Sequence, residues 1–541
     1  MHCSALLETL EPRRLFAAGG SGLQGVYFAN EDFTGTNVTR VDRAVAFNFS
    51  TGEIAPGIGA DSASARWTGQ VKPAFSERYT FKVISDDGAR LTVNGQVLFD
   101  TLDAQSGIKV NTGSITLRAA KRYDVKLEYH EKTGAASIQM RWRSASTPEM
   151  IIPSTRLFPP EAPVDAALKA KLDNAMAVAG AKLRATLTDL AGNTGAYPDF
   201  TDATSGRWRS TPADNWTSGF FPGAMWQLQR RTAEKFWRLQ ATAWTEGGIA
   251  TQVNAGDDLG FRFIPSYLNL YRAMGRKADR LILTAAAQSK VDTFDPTVGM
   301  FRNVHFRPSE SGNPNANFPV LIDVTMDLEL VYWAAKASGN LHWIDMANSH
   351  LSKLIETFIR LDGGTIQWGY FDEGTGAFVS GETRQGYADT STWSRGQAWL
   401  IYSLVNAYAE TGRADFLAAA KKVSDYWLSR VPADRVPKWD FDAPALAGTY
   451  RDSSAAAVAA SAFVKLGQLL AGTPDGTKYR AAAEATLSSL ASPAYLNTAT
   501  SASRGILFHG ARWVAKGNAD DSLIYGDYYF LEAINRYNGL P

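Results

Sequence analysis

The sequence predicts a protein of two parts, with a β-sandwich or barrel over residues 21–160 and an all-α domain over residues 165–541. The first part alternates apolar and polar residues in short runs, which is typical of half-buried strands. The second part changes to a helical period, and a stiff proline-rich stretch at 159–163 lies between them. A chain of 541 residues is also too long for one ordinary core, which favours at least two domains.

The composition excludes several classes of function. Lys and Arg total 55 while Asp and Glu total 54, so the net charge of +1 gives no strong field to attract nucleic acid or an anionic membrane. The single cysteine, Cys3, excludes an internal disulfide framework and a cysteine-based zinc site. No apolar run reaches the roughly 20 residues that a membrane span requires. The 15 Trp, 20 Tyr and 27 Phe fit a protein that stacks on sugar rings, and they fit an aromatic-rich core equally well.

Residues 1–20 do not form an ordinary secretory signal, because no basic start is followed by a long apolar run. Residues 10–18 resemble the LEPR-x-LL type of sorting tag at the start of some exported bacterial proteins. The alternative is a disordered tail ending at Gly19-Gly20. The tag predicts an extracellular or periplasmic location.

Predicted hairpin turns separate the strands of the β domain. Strand-like runs at 79–83 and 90–93 are separated by Asp86-Asp87-Gly88, and Asn94-Gly95 follows the second run. Gly and Asn tolerate the positive φ of tight turns, so short strands at this spacing predict a sandwich or barrel.

This region resembles the protective-antigen-type (PA-14) domain, a β-sandwich common in sugar-binding proteins. The resemblance is carried by Arg66-Trp67-Thr68-Gly69, Tyr79-Thr80-Phe81, Ser85-Asp86-Asp87-Gly88-Ala89-Arg90-Leu91, Tyr129 and Met140-Arg141-Trp142. It implies a domain that binds polysaccharide. In some members an adjacent Asp pair binds calcium, which here implies Asp86 and Asp87 as calcium ligands. Calcium takes six to eight oxygens, so the alternative is a hairpin turn that favours Asp and Gly.

Twelve candidate helices follow, with no strand-rich region between them, and this number predicts an α/α toroid of six hairpins. Their predicted starts lie near residues 164, 219, 233, 261, 277, 321, 340, 393, 413, 453, 476 and 520. In such a toroid the active site lies at one mouth of the inner helix ring.

Four segments of the helical part place aromatic and charged residues in loops or at helix starts. Segment 214–223 sets Trp216 among Gly and Pro, which indicates a sugar-stacking wall or else a packed helix start. Segment 254–261 places Asp257 and Asp258 before a helix, either as N-caps or as the source of one catalytic carboxylate.

The third segment, 319–328, introduces Asp323 into an apolar stretch. Burial there would raise the pKa of Asp323, which suits a group that gives and takes a proton near neutral pH. The alternative is a capping Asp, and Asp327 lies one turn further on.

The fourth segment, 385–399, carries Trp393, Arg395, Gln397 and Trp399 at a helix start. Arg and Gln amid aromatic rings could hold a carboxylate or hydroxyl groups, and the alternative is a structural Arg paired with a loop carboxylate. None of the 6 His has a metal-ligand spacing, which predicts no metal in the helical domain.

Together and in this order, the four segments are similar to glycoside hydrolase family 88, the unsaturated glucuronyl hydrolases. The similarity continues through 437–441, 451–455, 505–510 and 525–529, so that it spans about 165–541. It implies an (α/α)6 barrel that removes a 4,5-unsaturated uronic acid from the non-reducing end of oligosaccharides left by polysaccharide lyases. An Asp protonates C4, water adds at C5, and the hemiketal opens and expels the remaining sugar.

By motif, the resemblance implies Asp323 as the acid/base and Asp258 as the second essential carboxylate, with no metal or organic cofactor. The residues implied around the sugar are Trp216, Asp257, Arg384, Trp393, Arg395, Gln397 and Trp399. Two positions depart from the family pattern, because Asp257 and Arg384 stand where relatives often carry His. These changes add a negative and a positive charge near the site, and they predict a different leaving sugar, sulfate tolerance or uronic acid.

Three alternatives stay open at this point. A related family acts on unsaturated galacturonyl-rhamnose and is the nearest alternative for the substrate. An ordinary inverting glycosidase would use Asp258 and Asp323 as general base and acid. The third alternative is a non-catalytic carbohydrate-binding protein with a degenerate barrel.

Overall fold

The computed structural model describes residues 20, 22–59, 61–103, 107–119, 121–160, 165–305, 308–444 and 450–540. The chain divides into two compact units, Met1–Pro163 with Leu469–Thr477 and Pro541, and Val164–Gln468 with Lys478–Leu540. The predicted sorting tag, apart from Gly20, and the predicted linker at 161–164 lie outside the described residues. In the described ranges, no helix combines the length and the apolar character needed to cross a membrane.

The first unit contains two antiparallel sheets. Its strands are β1 (Leu23–Phe28), β2 (Asn37–Asp42), β3 (Ala46–Ser50), β4 (Ala63–Val71), β5 (Glu77–Asp86), β6 (Ala89–Val93), β7 (Gln96–Asp100), β8 (Ile108–Leu117), β9 (Tyr123–Glu131), β10 (Ala136–Arg143), β11 (Met150–Ile151) and β12 (Leu157–Phe158). One sheet has the order β2-β1-β4-β9-β6-β7 with β12 beside β4, and the other has the order β11-β10-β5-β8 with β3 beside β10. Alternate residues of both sheets enter one apolar core that includes Tyr27, Trp67, Tyr79 and Trp142. The alternation in the sequence therefore produces the strand-rich unit that it predicts.

The second unit is mainly helical. Its α-helices are α1 (Ala166–Leu190), α2 (Phe220–Thr232), α3 (Lys235–Glu246), α4 (Leu259–Phe263), α5 (Asn269–Met274), α6 (Lys277–Val291), α7 (Leu328–Ser338), α8 (His342–Phe358), α9 (Ser394–Thr411), α10 (Ala414–Arg430), α11 (Ser453–Leu469), α12 (Pro474–Leu490) and α13 (Ile524–Tyr537). Each predicted start lies close to one of these helices or, near 321, to the 3₁₀ turn Ile322–Asp327 that precedes α7. A π-helical turn at Ile264–Leu268 joins α4 to α5. Helix α2 packs on α3, α7 on α8 and α9 on α10, while α13 returns to pack on α2.

Short strands that the sequence did not predict lie between the helices. Three small antiparallel sheets lie there, built from β13 (Tyr197–Thr201), β14 (Trp208–Thr211), β15 (Phe294–Asp295), β16 (Met300–Phe301), β17 (Phe318–Leu321), β18 (Trp368–Phe371) and β19 (Phe378–Glu382). Strands this short repeat the apolar alternation too few times to be recognised in a sequence. They matter for the site, because β17 leads directly into the 3₁₀ turn that carries Asp323, and β19 ends two residues before Arg384.

Candidate active site

Four aromatic rings from separate parts of the helical unit meet and form what we call the aromatic wall: Trp216, Phe261, Trp399 and Tyr525. The Trp216 ring centroid lies 5.1 Å from that of Phe261 and 4.9 Å from that of Tyr525. Phe261 lies 5.0 Å from Trp399, and Trp399 lies 6.5 Å from Tyr525. Trp216 is half-buried while the other three rings are buried, so the wall exposes one indole to an incoming ligand.

Asp323 stands beside this wall. The residue is half-buried, and its Oδ2 atom is buried without a hydrogen-bond partner among the described residues. Burial raises the pKa of Asp323 to about 7, and the charge of Asp258 acts in the same direction. Arg395 and the indole of Trp399 oppose this rise. The result is a carboxyl group that is still partly protonated at neutral pH.

Asp258 precedes α4 and has left-handed backbone geometry, with a φ of 58°. This conformation is uncommon for residues other than Gly, although Asp adopts it more readily than most, and it is concentrated at functional sites. The residue is half-buried, and burial raises the pKa of its carboxyl group. Arg262, which donates hydrogen bonds to the Asp257 and Asp214 carbonyls, lowers that pKa.

Gly260 explains how the turn carrying Asp258 comes to lie against the turn carrying Asp323. A methyl group on Gly260 would overlap the carbonyl oxygen of Met326 in the 3₁₀ turn. The amide of Gly260 also donates a 2.7 Å hydrogen bond to Asp327 Oδ1 in the same turn. The missing side chain therefore allows the two backbone segments, and with them the two catalytic candidates, to approach closely.

We expect Gly260→Ala to separate these turns, to destabilise the fold by about 1–3 kcal/mol and to lower activity. The matched control is Gly180→Ala in helix α1, where the nearest neighbour, Trp237 Cζ2, lies 3.8 Å from the added methyl group. Ala is preferred to Gly inside a helix, so the control is expected to be neutral or slightly stabilising. Denaturant unfolding and initial rates of both variants test this, and unchanged activity in Gly260→Ala would refute the assigned role.

Arg395 lies under the wall rather than in open solvent. Its buried guanidinium pairs with Asp452 Oδ2 at 2.6 Å and donates to the Ala511 carbonyl at 2.6 Å. It also stacks on the buried ring of Trp393 at 4.6 Å and on Tyr525 at 5.3 Å. The expected alternative, an Arg paired with a carboxylate, is therefore present, while the same charge still reaches Asp323 and lowers the pKa of that group.

Comparison with known proteins agrees with both units. Residues 19–156 match the PA14 domain family. An unsaturated glucuronyl hydrolase of Formosa agariphila is 32% identical over 341 residues, which are 61% of this chain and 81% of that protein. This chain belongs to the unsaturated glucuronyl hydrolases, glycoside hydrolase family 88.

Other members of the family align over the same region. An unsaturated chondroitin disaccharide hydrolase of Streptococcus pyogenes is 29% identical, over 60% of this chain and 81% of that protein. The crystal structure of an unsaturated glucuronyl hydrolase specific for heparin superposes with a TM-score of 0.63 at 32% identity, covering 69% of this chain and 97% of that one. The protein is therefore a glycoside hydrolase with a PA14 domain ahead of its helical catalytic domain.

The expectation that Gln397 of this unsaturated glucuronyl hydrolase surrounds the sugar is corrected by the structure. Its side chain is buried, and Nε2 donates 2.9 Å hydrogen bonds to the carbonyls of Gly363 and Val423. Two helical residues turn through about 200°, so Gln397 points away from the face that Arg395 and Trp399 share. Gln397 therefore anchors α9 to its neighbours.

The two departures from the family pattern do not add free charge as expected. The buried Asp257 carboxylate lies 3.0 Å from Lys290 Nζ and accepts a hydrogen bond from the Val304 amide, and these contacts outweigh burial and lower its pKa. Arg384 pairs with Glu310 and lies 3.4 Å from Glu382. Both charges are compensated by partners within the chain, and a different leaving sugar, sulfate tolerance or uronic acid stays a prediction.

Sequence reasoning did not assign Tyr525, Asp452 or Lys290 to the site. Tyr525 and Asp452 lie in runs 525–529 and 451–455, whose similarity to the family was recognised without a role for either residue. Lys290 gave no signal, because a lysine in the last turn of a helix is usually a solvated charge that favours the helix dipole.

In the PA14 domain, Asp87 is held as a turn residue. Its two carboxylate oxygens accept hydrogen bonds from the amides of Gly107 at 2.9 Å and Lys132 at 2.8 Å, and its φ is 62°. Asp86 ends strand β5 beside it. Within the described ranges, no three His, Cys, Asp or Glu side chains are grouped so that they could hold a metal ion. Calcium binding by Asp86 and Asp87 stays a prediction.

Proposed function

We propose that this enzyme removes a 4,5-unsaturated uronic acid from the non-reducing end of lyase-generated oligosaccharides by hydrating the C4=C5 double bond. The observation that carries the proposal is the Asp323 carboxyl group, with a pKa raised to about 7 and an unpartnered Oδ2 beside the aromatic wall. Protonation of carbon requires an acid that keeps its proton near neutral pH, and burial beside a second carboxylate provides it.

In the proposed reaction, Asp323 transfers its proton to C4 and positive charge develops at C5 and the ring oxygen. Water adds at C5, and the proton it loses returns to Asp323, which restores the acid. The C5 hemiketal then opens by breaking the bond to the ring oxygen, and the hemiacetal left at C1 expels the remaining sugar as an alcohol. Asp258 keeps Asp323 protonated and stabilises the positive charge as it forms.

The surrounding residues support this chemistry. The half-buried ring of Trp216 is placed to stack on the sugar, while the buried rings of Phe261 and Tyr525 keep bulk water away from the carboxylates. Arg395 supplies a positive charge whose position is fixed by Asp452. No metal or organic cofactor enters the proposed steps, and we expect full activity after dialysis against EDTA.

For the substrate we favour unsaturated glucuronyl disaccharides of the glycosaminoglycan type over galacturonyl-rhamnose. The support is that two relatives are named for chondroitin disaccharides and for heparin. A panel of unsaturated disaccharides from both classes, with and without sulfate, would rank the leaving sugars by kcat/KM. A preference for galacturonyl-rhamnose would replace this choice while leaving the reaction type unchanged.

One assay separates the proposed reaction from its rivals. The enzyme should consume the ultraviolet absorbance of the enol ether in unsaturated disaccharides and leave the matched saturated disaccharides intact. Hydrolysis of the saturated sugars would instead indicate an ordinary inverting glycosidase, and binding without turnover would indicate a carbohydrate-binding protein.

Four further proposals concern the rest of the molecule. Packing of consecutive helices in pairs, with α13 on α2, supports an (α/α)6 barrel for the helical unit. The PA14 match supports polysaccharide binding by the β domain, which sedimentation with insoluble polysaccharides would test. Fractionation of a culture would test the proposed export, and the melting temperature of the full chain with and without calcium would test the Asp86–Asp87 prediction.

A further inference from the structure

A buried lysine lies behind the catalytic candidates. The side chain of Lys290, near the end of α6, is 0% exposed. Its ammonium group donates hydrogen bonds to Asp257 Oδ1 and to the Gly256 carbonyl, both at 3.0 Å, and lies 3.5 Å from Asp327 Oδ2. Burial of an ammonium group is costly unless it is well paired, so its place among two carboxylates and two carbonyls requires an explanation.

The contacts of Lys290 lie on both sides of Asp258 in the chain. Gly256 and Asp257 precede Asp258, and both bind the ammonium group directly. On the other side, Asp327 pairs with Lys290 through Oδ2 while its Oδ1 accepts the amide hydrogen of Gly260. One ammonium group therefore stabilises both ends of the turn in which Asp258 has its left-handed φ of 58°, the first end directly and the second through Asp327.

Asp257 extends this arrangement to a second segment. Its Oδ2 atom accepts hydrogen bonds from the amides of Val304 at 2.7 Å and His305 at 3.0 Å, while Oδ1 stays on Lys290. The lysine also donates to the Arg302 carbonyl at 3.4 Å. Residues 302–305 are thus held against the turn of Asp258 by the same ion pair.

The geometry points to Lys290 as a positioning residue of the hydration reaction, which acts by fixing the turn of Asp258 against the turn of Asp323 through Asp257 and Asp327. Lys290 acts through Asp257 and Asp327, which its ammonium group contacts directly. The inference rests on the proposed function, because it takes Asp258 as the second essential carboxylate. It also explains why residue 257 is Asp where relatives often carry His, because the Asp257 carboxylate is the partner of this lysine.

The electrostatic setting of Asp258 supplies a readout that a purely structural role would not move. Burial and Asp257 raise the pKa of Asp258, while Arg262, Lys290 and His305 lower it. Asp323 and Asp327 are further carboxylates with which it interacts. Loss of the Lys290 charge should therefore raise the pKa of Asp258 and move the acidic limb of the kcat/KM profile to higher pH.

The test compares Lys290→Met with Lys182→Met. We expect Lys290→Met to lower kcat by about 10- to 100-fold with less change in KM, and to shift the pH profile. Lys182 is the matched control, because it is also buried and donates to the carbonyls of Ser501 at 2.8 Å and Ser503 at 2.7 Å, in another part of the unit. Lys182→Met should lose stability while keeping the kcat and pH profile of the wild type.

The double variant Lys290→Met/Asp257→Asn keeps the test decisive if the single variant fails to fold. It removes the unpaired buried charge of Asp257, so the melting temperature should recover. The value of kcat should stay low, because Gly256 and Asp327 still lack the ammonium group that binds them both. Wild-type kcat in either folded variant would overturn the inference. If Asp323→Asn is itself fully active, the proposed function fails; if Asp323→Asn and Asp258→Asn are both inactive while Lys290→Met is fully active, only the role of Lys290 fails.

Discussion

Asp323→Asn is expected to lower kcat by at least about 10²–10⁴-fold while the fold and substrate binding persist. The amide has the same shape as the carboxyl group but cannot give a proton to C4. The substrate contact proposed for Trp216 is unaffected, so the dissociation constant from calorimetry should change little. The rate is measured as the loss of enol-ether absorbance under saturating substrate.

The same substitution should stabilise the protein at alkaline pH. The pKa of Asp323 is about 7 in the folded chain and about 3.9 in an unfolded one, so between these values the folded state holds an extra proton. As far as Asp323 is concerned, the free energy of unfolding of the wild type is therefore highest below about pH 4. It falls as the pH rises to 7, because the folded state must then give up its extra proton. Asn does not titrate, so the melting temperature of the variant should exceed that of the wild type at pH 8 and match it at pH 4.

The surface carboxylate Asp345 supplies the control, since its side chain is 78% exposed on α8. Asp345→Asn should leave kcat unchanged and should not show the gain in melting temperature between pH 4 and pH 8. A folded Asp323→Asn enzyme that retains its rate would remove Asp323 from the mechanism. A variant that is inactive but less stable at pH 8 would show that Asp323 is a structural carboxylate whose partner has been lost.

The parts of the site that the sequence predicts are those determined by nearby residues. Asp323 follows an apolar strand and enters a buried turn, so its context in the chain already indicates desolvation. Asp258 precedes a helix in a Gly-rich turn, and its position follows from the same local pattern. Helix starts are local signals as well, which is why the predicted positions agree with the structure.

Charge compensation could not be predicted, because the partners are distant in the chain. Asp257 meets Lys290 across 33 residues, and Arg384 meets Glu310 across 74 residues. The helix period places Gln397 on another face than Arg395 and Trp399, although the three residues belong to one motif. Motif similarity identifies the segment, and geometry alone decides which side chains in it face the site.

The buried carboxylates of the candidate active site lower the stability of the folded protein. Burial raises the pKa of Asp323 and of Asp327 to about 7, and it raises that of Asp258 as well. Lys290 and Arg395 offset part of this electrostatic cost, each from behind the site and each held by a second acidic partner. The cations are therefore placed where they limit the repulsion without neutralising the acid.

Asp258→Asn should lower kcat/KM by about 10²-fold or more at pH 7, and the loss should be smaller at pH 5. The charge of Asp258 raises the pKa of Asp323, so its removal lets Asp323 lose its proton at a lower pH. The enzyme is active with Asp323 protonated, and the alkaline limb of the profile therefore moves toward acid. Asp258→Asn differs in this from Asp323→Asn, which should be inactive at every pH.

Profiles of kcat/KM between pH 4.5 and pH 8 for wild type, Asp258→Asn and the surface control Asp345→Asn would measure this shift. The ratio of wild-type to Asp258→Asn activity should rise steadily with pH, because the variant loses its acid before the wild type does. A constant ratio would mean that the two carboxylates do not interact and that Asp258 acts on the substrate alone. A shift of the alkaline limb with little loss of rate at the new pH optimum would instead mean that Asp258 serves only to keep Asp323 protonated. The charge of Asp258 would then be dispensable at a pH low enough to keep Asp323 protonated without it.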